Sequence, residues 1–221
     1  MSINEKYVKD LEETISKFMA PLKNIPFPIV IKAISGYSVV PFNSSDKKDR
    51  VLLEKLVRAL SKATKTANRT GIFANRPNEV GNHIEPFVRD ALNELGMKAT
   101  IPTTSEGKHQ SADYPDVEMR ESDGRVTYLE CKTYSLKSED SSFRAFYLQP
   151  SENFKVTADA RHLLVGFEIK EEKRNGKNAY VPVRCRLYTL DNLRVQVKHE
   201  FNASNKDIYQ KEALLAEGGL E

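Results

Sequence analysis

The apolar pattern of this 221-residue chain changes character at Gly96, and that switch limits the folds open to it. Before Gly96, apolar residues recur at steps of three and four. After it they alternate, and β-branched residues become frequent. The first pattern builds amphipathic helices and the second builds strands. Helices followed by a mostly antiparallel run of strands predict an α/β class, with a mixed central β-sheet flanked by helices. No internal repeat and no long linker interrupts the chain. Residues 1–221 therefore read as one domain, with a helical region over 1–70, a core over 78–200 and a tail over 205–221.

Val8, Leu11, Ile15, Phe18 and Leu22 mark a helix over 4–22, and their stripe reads as core rather than as a dimer seam. The proline-punctuated stretch IPFPIVIKAISGYSVVPF reads as an extended connector. In SSDKKDRVLLEKLVRALSKATK, cap candidates precede Leu53, Leu56, Val57 and Leu60, which predict a second helix. A third is expected from a cap at Asn78, with Val80, Ile84, Phe87, Val88, Ala91, Leu92 and Leu95 inward and Gly96 as its stop. Pro86 in its interior predicts a bend, unless the regular helix starts near there. Strands are expected over 97–102, 115–119, 125–133, 143–148, 161–169, 179–189 and 193–199. Residues 122–124 mark a hairpin turn and 171–178 a longer one.

Composition narrows the setting. Hydrophobic residues make up 39% and charged residues 29%, as in a folded globule. The net charge of +3 is compatible with nucleic acid without pointing to it, since basic walls around an acidic centre sum to a mild value. No apolar run approaches the ~20 residues of a membrane span, and the first residues lack a secretory core. Cys131 and Cys185 cannot make a disulfide framework, form no metal-type Cys/His cluster, and read as small buried hydrophobes. A reducing cytoplasm is the expected location.

Chemistry concentrates in YPDVEMRESDGRVTYLECKTY, residues 114–134. Side chains alternate across a strand, so Glu130 and Lys132 share one face while Leu129 and Cys131 pack on the other. The turn at 122–124 returns the second strand beside the first, so Asp116 and Glu130 face one another at one end of a sheet. Two carboxylates so close repel unless a cation lies between them. A hard divalent ion such as Mg²⁺, with carboxylate, water and phosphate oxygens, suits the pair. A protonated Lys132 is no ligand, but it holds an attacking water or offsets charge on a pentavalent phosphate. That is a constellation for phosphodiester hydrolysis. A surface hairpin with a Glu/Lys pair is the alternative reading of the same spacing, and FEIK at 167–170 is the rival second half of a site.

Pro115-Asp116 followed by Glu130-Cys131-Lys132 resembles the PD-(D/E)XK nuclease superfamily, and the surroundings resemble type II restriction endonucleases. VGNHIEPFVRDALNELG is similar to the superfamily's first helix, with Gly81 and Glu85 in the matching places and Glu79 as the alternative acid. The stretch SFRAFYLQPSENFKVTADARHLLVGFEI is similar to the segment after the catalytic strand in several restriction enzymes. The resemblance covers about 78–169. It implies a restriction-endonuclease-like core, Mg²⁺-dependent cleavage of double-stranded DNA to 5′-phosphate ends, and a homodimer reading a palindrome. It implies that Asp116, Glu130 and the backbone carbonyl of Cys131 hold the ion, that Lys132 activates water, and that Glu85 assists. A repair or junction-resolving nuclease of the same fold is the second reading, and a non-catalytic DNA-binding protein is the third.

Arg and Asn make bidentate contacts to guanine and adenine edges, which nominates Arg69, Asn75, Arg76 and Asn78 before the third helix. Lys108, His109, Gln110 and Ser111 lead into Asp116 and are candidates for phosphate. Arg144, Gln149, Ser151, Asn153 and Lys155 come after the catalytic strand, interleaved with Phe146 and Tyr147. Most such residues would position the duplex rather than specify bases. Helix capping and a polar surface are their alternative roles. Asp113 reads as a turn residue, and His109 is not needed as a general base beside Lys132.

Overall fold

The computed structural model describes residues 5–19, 22–74, 79–109, 113–135, 146–198, 203–213 and 215–216. Its contacts gather into two units, one of 1–25 with 195–221 and one of Pro26–Arg194. No described helix is long and apolar enough to cross a membrane.

The first unit holds α1 (Glu5–Met19), the one-turn α5 (Asn205–Ile208) and a 3₁₀ turn at Lys211–Ala213. Ser204 closes a capping box with Asp207 at the start of α5. Helix α1 forms where its period predicts, but its stripe is not core. Val8, Leu11, Ile15 and Phe18 are 37–66% exposed. Periodicity states which residues share a face; burial also requires an element opposite that face.

The larger unit holds α2 (Phe27–Ser35), α3 (Lys47–Thr70) and α4 (Val80–Glu94), followed by β2 (Lys98–Thr100), β3 (Val117–Arg120), β4 (Val126–Tyr134), β5 (Ala160–Arg174) and β6 (Lys177–Thr189). The two-residue strands β1 (Ile25–Pro26) and β7 (Arg194–Val195) fall at the sequence boundaries of the units. The sheet runs β2-β3-β4-β5-β6. Among the described strands of this sheet, only the β4–β5 pair is parallel; the other neighbours are antiparallel, so the sheet is mixed, as expected.

Strand alternation sorts the sheet's two faces. Val117, Met119, Leu129, Cys131, Leu163, Val165 and Phe167 join Leu56, Leu60, Val88 and Leu92 of α3 and α4 in one core. Tyr128 and His162 turn the other way, where the Phe27 ring of α2 lies edge-on to His162. Helices therefore cover both faces.

Several expectations need correction. The segment read as an extended connector contains α2. Proline breaks a helix interior but is tolerated in the first turn, where no N–H bond is lost, and that is where the prolines of IPFPIV fall. In α3, Asp46 caps the Lys48 and Asp49 N–H groups, but the buried stripe is Leu52, Leu56, Ala59, Leu60, Ala63 and Ala67, while Val57 is exposed. Small alanines complete that stripe and turn the helix by one residue. Helix α4 continues through Pro86. Residues 146–148 and most of 193–198 are irregular rather than strand, and 143–145 lie outside the described residues. The turn over 171–178 is a tight one: β5 and β6 are joined by Asn175 and Gly176, with φ of 50° and 75°, the backbone of a two-residue hairpin turn.

Candidate active site

The site is built on the β3–β4 hairpin. Val117 pairs with Leu129, and continuing that register by one residue sets Asp116 opposite Glu130. Asp116 Oδ2 accepts the Cys131 N–H at 2.7 Å. In an extended strand a residue's N–H and C=O point to the same edge, so the Cys131 carbonyl also faces the Asp116 side. Pro115, just before Asp116 and outside β3, has no N–H to give.

Glu130 is 3% exposed, and its Oε1 accepts from Lys132 Nζ at 2.6 Å. Its Oε2 is buried and has no hydrogen-bond partner. Burial, and then the neighbouring Asp116 charge, push the Glu130 carboxyl up to about 7 against the opposing charges of Lys132 and Lys155. Burial also raises Asp116, although the Cys131 N–H, Lys132 and Lys155 pull it down. Burial lowers Lys132, but its pairing with Glu130 outweighs this and leaves the amine raised. Glu85 of α4 joins the cluster: burial and the Asp116 charge push it up to about 7, with Arg89, Lys155 and Lys132 opposing. Arg89 lies 3.6 Å from it on the same helix.

Asp116, Glu130, Lys132 and Glu85 are therefore brought together, with Cys131 at their junction. Glu79, the alternative acid, instead lines an open cleft of about 580 Å³ beside His83. The rival Glu168 pairs in register with Tyr134, at the far end of β4, and Arg184 lies 3.6 Å from it.

The candidates for DNA are scattered. Arg69 is exposed at the end of α3. Lys108 is exposed and paired with Glu106, and the exposed His109 bonds the Ile101 carbonyl through its Nδ1. Gln149, Ser151 and Asn153 are exposed, with the Asn153 N–H donated to the Ser151 hydroxyl. Lys155 is not on that surface: it is 2% exposed. Asn75, Arg76, Asn78, Gln110, Ser111 and Arg144 lie outside the described residues. Asp113 takes a φ of 66°, the left-handed backbone of a turn residue.

Sequence reasoning passes over two sets of contributors. Tyr114, just before the Pro-Asp pair, bonds His162 Nδ1 through its hydroxyl at 2.6 Å. Burial drives that imidazole down to about 3, so it is neutral. Lys173, Lys177 and Asn178 of the β5–β6 hairpin line the cleft at the start of α4. On α4, Gly81 faces Thr133, the neighbour of Lys132; a Cβ there would sit 3.9 Å from the Thr133 hydroxyl. The adjacency of hairpin and helix start is tertiary, and nothing in either stretch announces it.

Residues 21–212 match the family model described as Type II restriction enzyme MjaV family. A type II restriction enzyme, MjaV of Methanocaldococcus jannaschii, is 35% identical over 233 residues, covering 99% of each chain. A solved structure, tetrameric restriction endonuclease SfiI bound to cognate DNA, aligns with a TM-score of 0.42 and 16% identity, over 68% of this chain and 66% of that one.

Proposed function

This chain belongs to the type II restriction enzyme MjaV family, and from that premise we propose that Asp116, Glu130 and Lys132 are its catalytic residues and Mg²⁺ its ion. The enzyme is a site-specific deoxyribonuclease that hydrolyses phosphodiester bonds of double-stranded DNA. One observation carries the assignment: two buried carboxylates and an amine meet at Cys131, with Asp116 on its N–H at 2.7 Å and Glu130 on Lys132 at 2.6 Å.

Type II restriction enzymes generally use divalent metal ions, and these residues suit one. The donors are hard oxygens, the carboxylates repel in its absence, and Glu130 Oε2 is a buried acceptor with no hydrogen-bond partner. Among the described residues no group of three or more His, Cys, Asp and Glu is gathered as ligands. Asp116, Glu130 and the Cys131 carbonyl would hold the ion, leaving the rest of its shell to water and phosphate, which is the habit of Mg²⁺. When bound, the ion supplies Lewis-acid polarisation and a more acidic water. Lys132 holds the attacking water in line with the scissile bond and offsets charge on the phosphate as it becomes pentavalent. Glu85, whose carboxyl feels the Asp116 charge, assists as an outer-shell acid.

Phage DNA incubated with enzyme and Mg²⁺ is expected to give discrete fragments with 5′-phosphate ends, and none in EDTA. Asp116→Ala and Glu130→Ala are each expected to slow cleavage by about a thousandfold. Undiminished cutting in EDTA, or by either variant, sinks the assignment.

A duplex has two strands and each chain carries one such site. We therefore assign a homodimer on a palindrome, checked by the mass of the complex on a short duplex. The cytoplasm, where DNA is accessible, is the assigned location. The cleft at the start of α4 is the assigned entry for the DNA backbone, because Lys173 and Lys177 line it and Gly81 at that helix start approaches Thr133 of the catalytic strand. Replacing both lysines by Ala is expected to weaken all duplexes alike and to reduce the salt slope of binding by about two per protomer. A slope that does not change excludes them as phosphate contacts.

A further inference from the structure

Lys155 is 2% exposed, and the catalytic steps assigned to Asp116, Glu130 and Lys132 do not employ it. Lysine is almost never so buried unless it is paired. Its place is fixed from both sides. Before it, the Ser105 N–H donates to the Phe154 carbonyl at 2.9 Å. After it, the Thr157 N–H donates to the hydroxyl of Tyr128 at 2.9 Å, and Tyr128 is two residues from Glu130 on β4. Burial lowers the Lys155 amine from its ordinary value, against the opposing charges of Asp116, Glu130, Asp113 and Glu85, and its charge in turn favours the ionised forms of Glu85, Asp116 and Glu130.

A lysine that contacts DNA phosphate from a surface must be reachable from that surface, and this one is not. Besides the Arg89 guanidinium beside Glu85, two ammonium groups stand around the carboxylates of Glu85, Asp116 and Glu130. Lys132 comes from the catalytic strand and Lys155 from a segment distant in sequence. A cation locked there by the backbone gives the cluster a positive charge that needs no recruitment. It also repels a second divalent ion. We propose that Lys155 is the resident cation of the catalytic centre, supplying the charge a second divalent ion would otherwise bring, so that each chain takes one such ion. This rests on the assignment of Asp116 and Glu130 as the metal site.

The test is calorimetric titration of Ca²⁺, a divalent ion of the same ligand chemistry, into the full-length protein. Wild type is expected to bind one ion per chain. Lys155→Gln is expected to bind Ca²⁺ about tenfold more tightly, or to take a second ion, because a neighbouring positive charge has gone. Lys155→Arg restores the charge and is expected to bind as wild type does. The proposal is overturned if a Lys155→Gln protein with a cooperative thermal transition binds one ion with wild-type affinity. Should that variant fail to fold, the wild-type count decides: two ions per chain overturn the proposal and one supports it. Asp116→Asn separates the two layers. If it binds Ca²⁺ as wild type does, the metal site lies elsewhere and the proposal falls with it. If it loses binding while Lys155→Gln is unaltered, the metal site stands and only the role of Lys155 is lost.

Discussion

A Lys132→Ala enzyme is expected to bind its target duplex normally and to cleave it about a thousandfold more slowly, or not at all. Binding survives because one amine is a small share of the charge that meets DNA: losing one phosphate contact changes the salt slope by about one at most. Cleavage does not survive, because the amine acts where charge develops, and its position is set tightly. Lys132 shares a strand face with Glu130, and the two are joined at 2.6 Å. That joint admits a second explanation of slow cleavage. Removing Lys132 also strips Glu130 of a charge that holds its carboxyl down, and a protonated Glu130 ligates poorly. The pH separates the explanations. If Lys132 only kept Glu130 ionised, single-turnover cleavage by the variant would recover toward wild type at pH 9 with excess Mg²⁺. If Lys132 works on water and phosphate, the deficit persists there. Binding is measured by mobility shift in Ca²⁺. Near-normal turnover at pH 7.5, or full recovery at pH 9, refutes the role.

The parts of this site that are legible in the sequence are those joined by short range. One turn at 122–124 separates the strands that carry Asp116 and Glu130, so strand alternation and a return of the chain suffice to bring them together. Glu85 is legible only by resemblance, because its approach to Asp116 depends on how α4 lies against β4. Lys155 is misplaced onto the DNA surface for a physical reason. A lysine in a polar loop reads as solvated, and only the Ser105 and Tyr128 bonds on either side turn it inward. The same distinction runs through the fold. Period marks α3 and α4 as helices, but the true stripe of α3 needs its alanines, and the exposure of the α1 stripe needs knowledge of what lies opposite. Proline misleads at α2, where position within the helix matters more than presence. The parallel β4–β5 pair is hidden because a crossover leaves no turn signature, unlike the Asn175-Gly176 pair.

Glu130→Gln is expected to abolish cutting and yet to stabilise the metal-free protein above pH 7. Glu130 is pushed up to about 7 from an ordinary 4.5, so between those values the folded chain keeps a proton that the unfolded chain has released. Stability therefore falls as pH rises through that window. Below it, Glu130 is protonated in both states and glutamine is a fair copy of the protonated form, so variant and wild type should unfold at similar temperatures. Above it, only the wild type holds a buried, repelled carboxylate at position 130. The difference is roughly 1–3 kcal/mol, or a few degrees of Tm for a chain of this size. The lost Lys132 bond does not reverse the sign, since its attraction is already counted against burial and Asp116 in the raised value. Ionisable groups far from Glu130 cancel in the difference between the two, and loss of its charge eases Asp116 as well, in the same direction. Mg²⁺ supplies a second arm of the experiment. At pH 8 it should raise the wild-type Tm by occupying the site and relieving repulsion between Asp116 and Glu130, and it should raise the variant's much less, because glutamine carries no charge to neutralise. Thermal unfolding of both proteins from pH 4.5 to 8.5, with Mg²⁺ and with EDTA, measures all four curves. A gap that is constant across pH, or a variant less stable than wild type at pH 8, would show that the two carboxylates are not held in enforced repulsion at an ion's place.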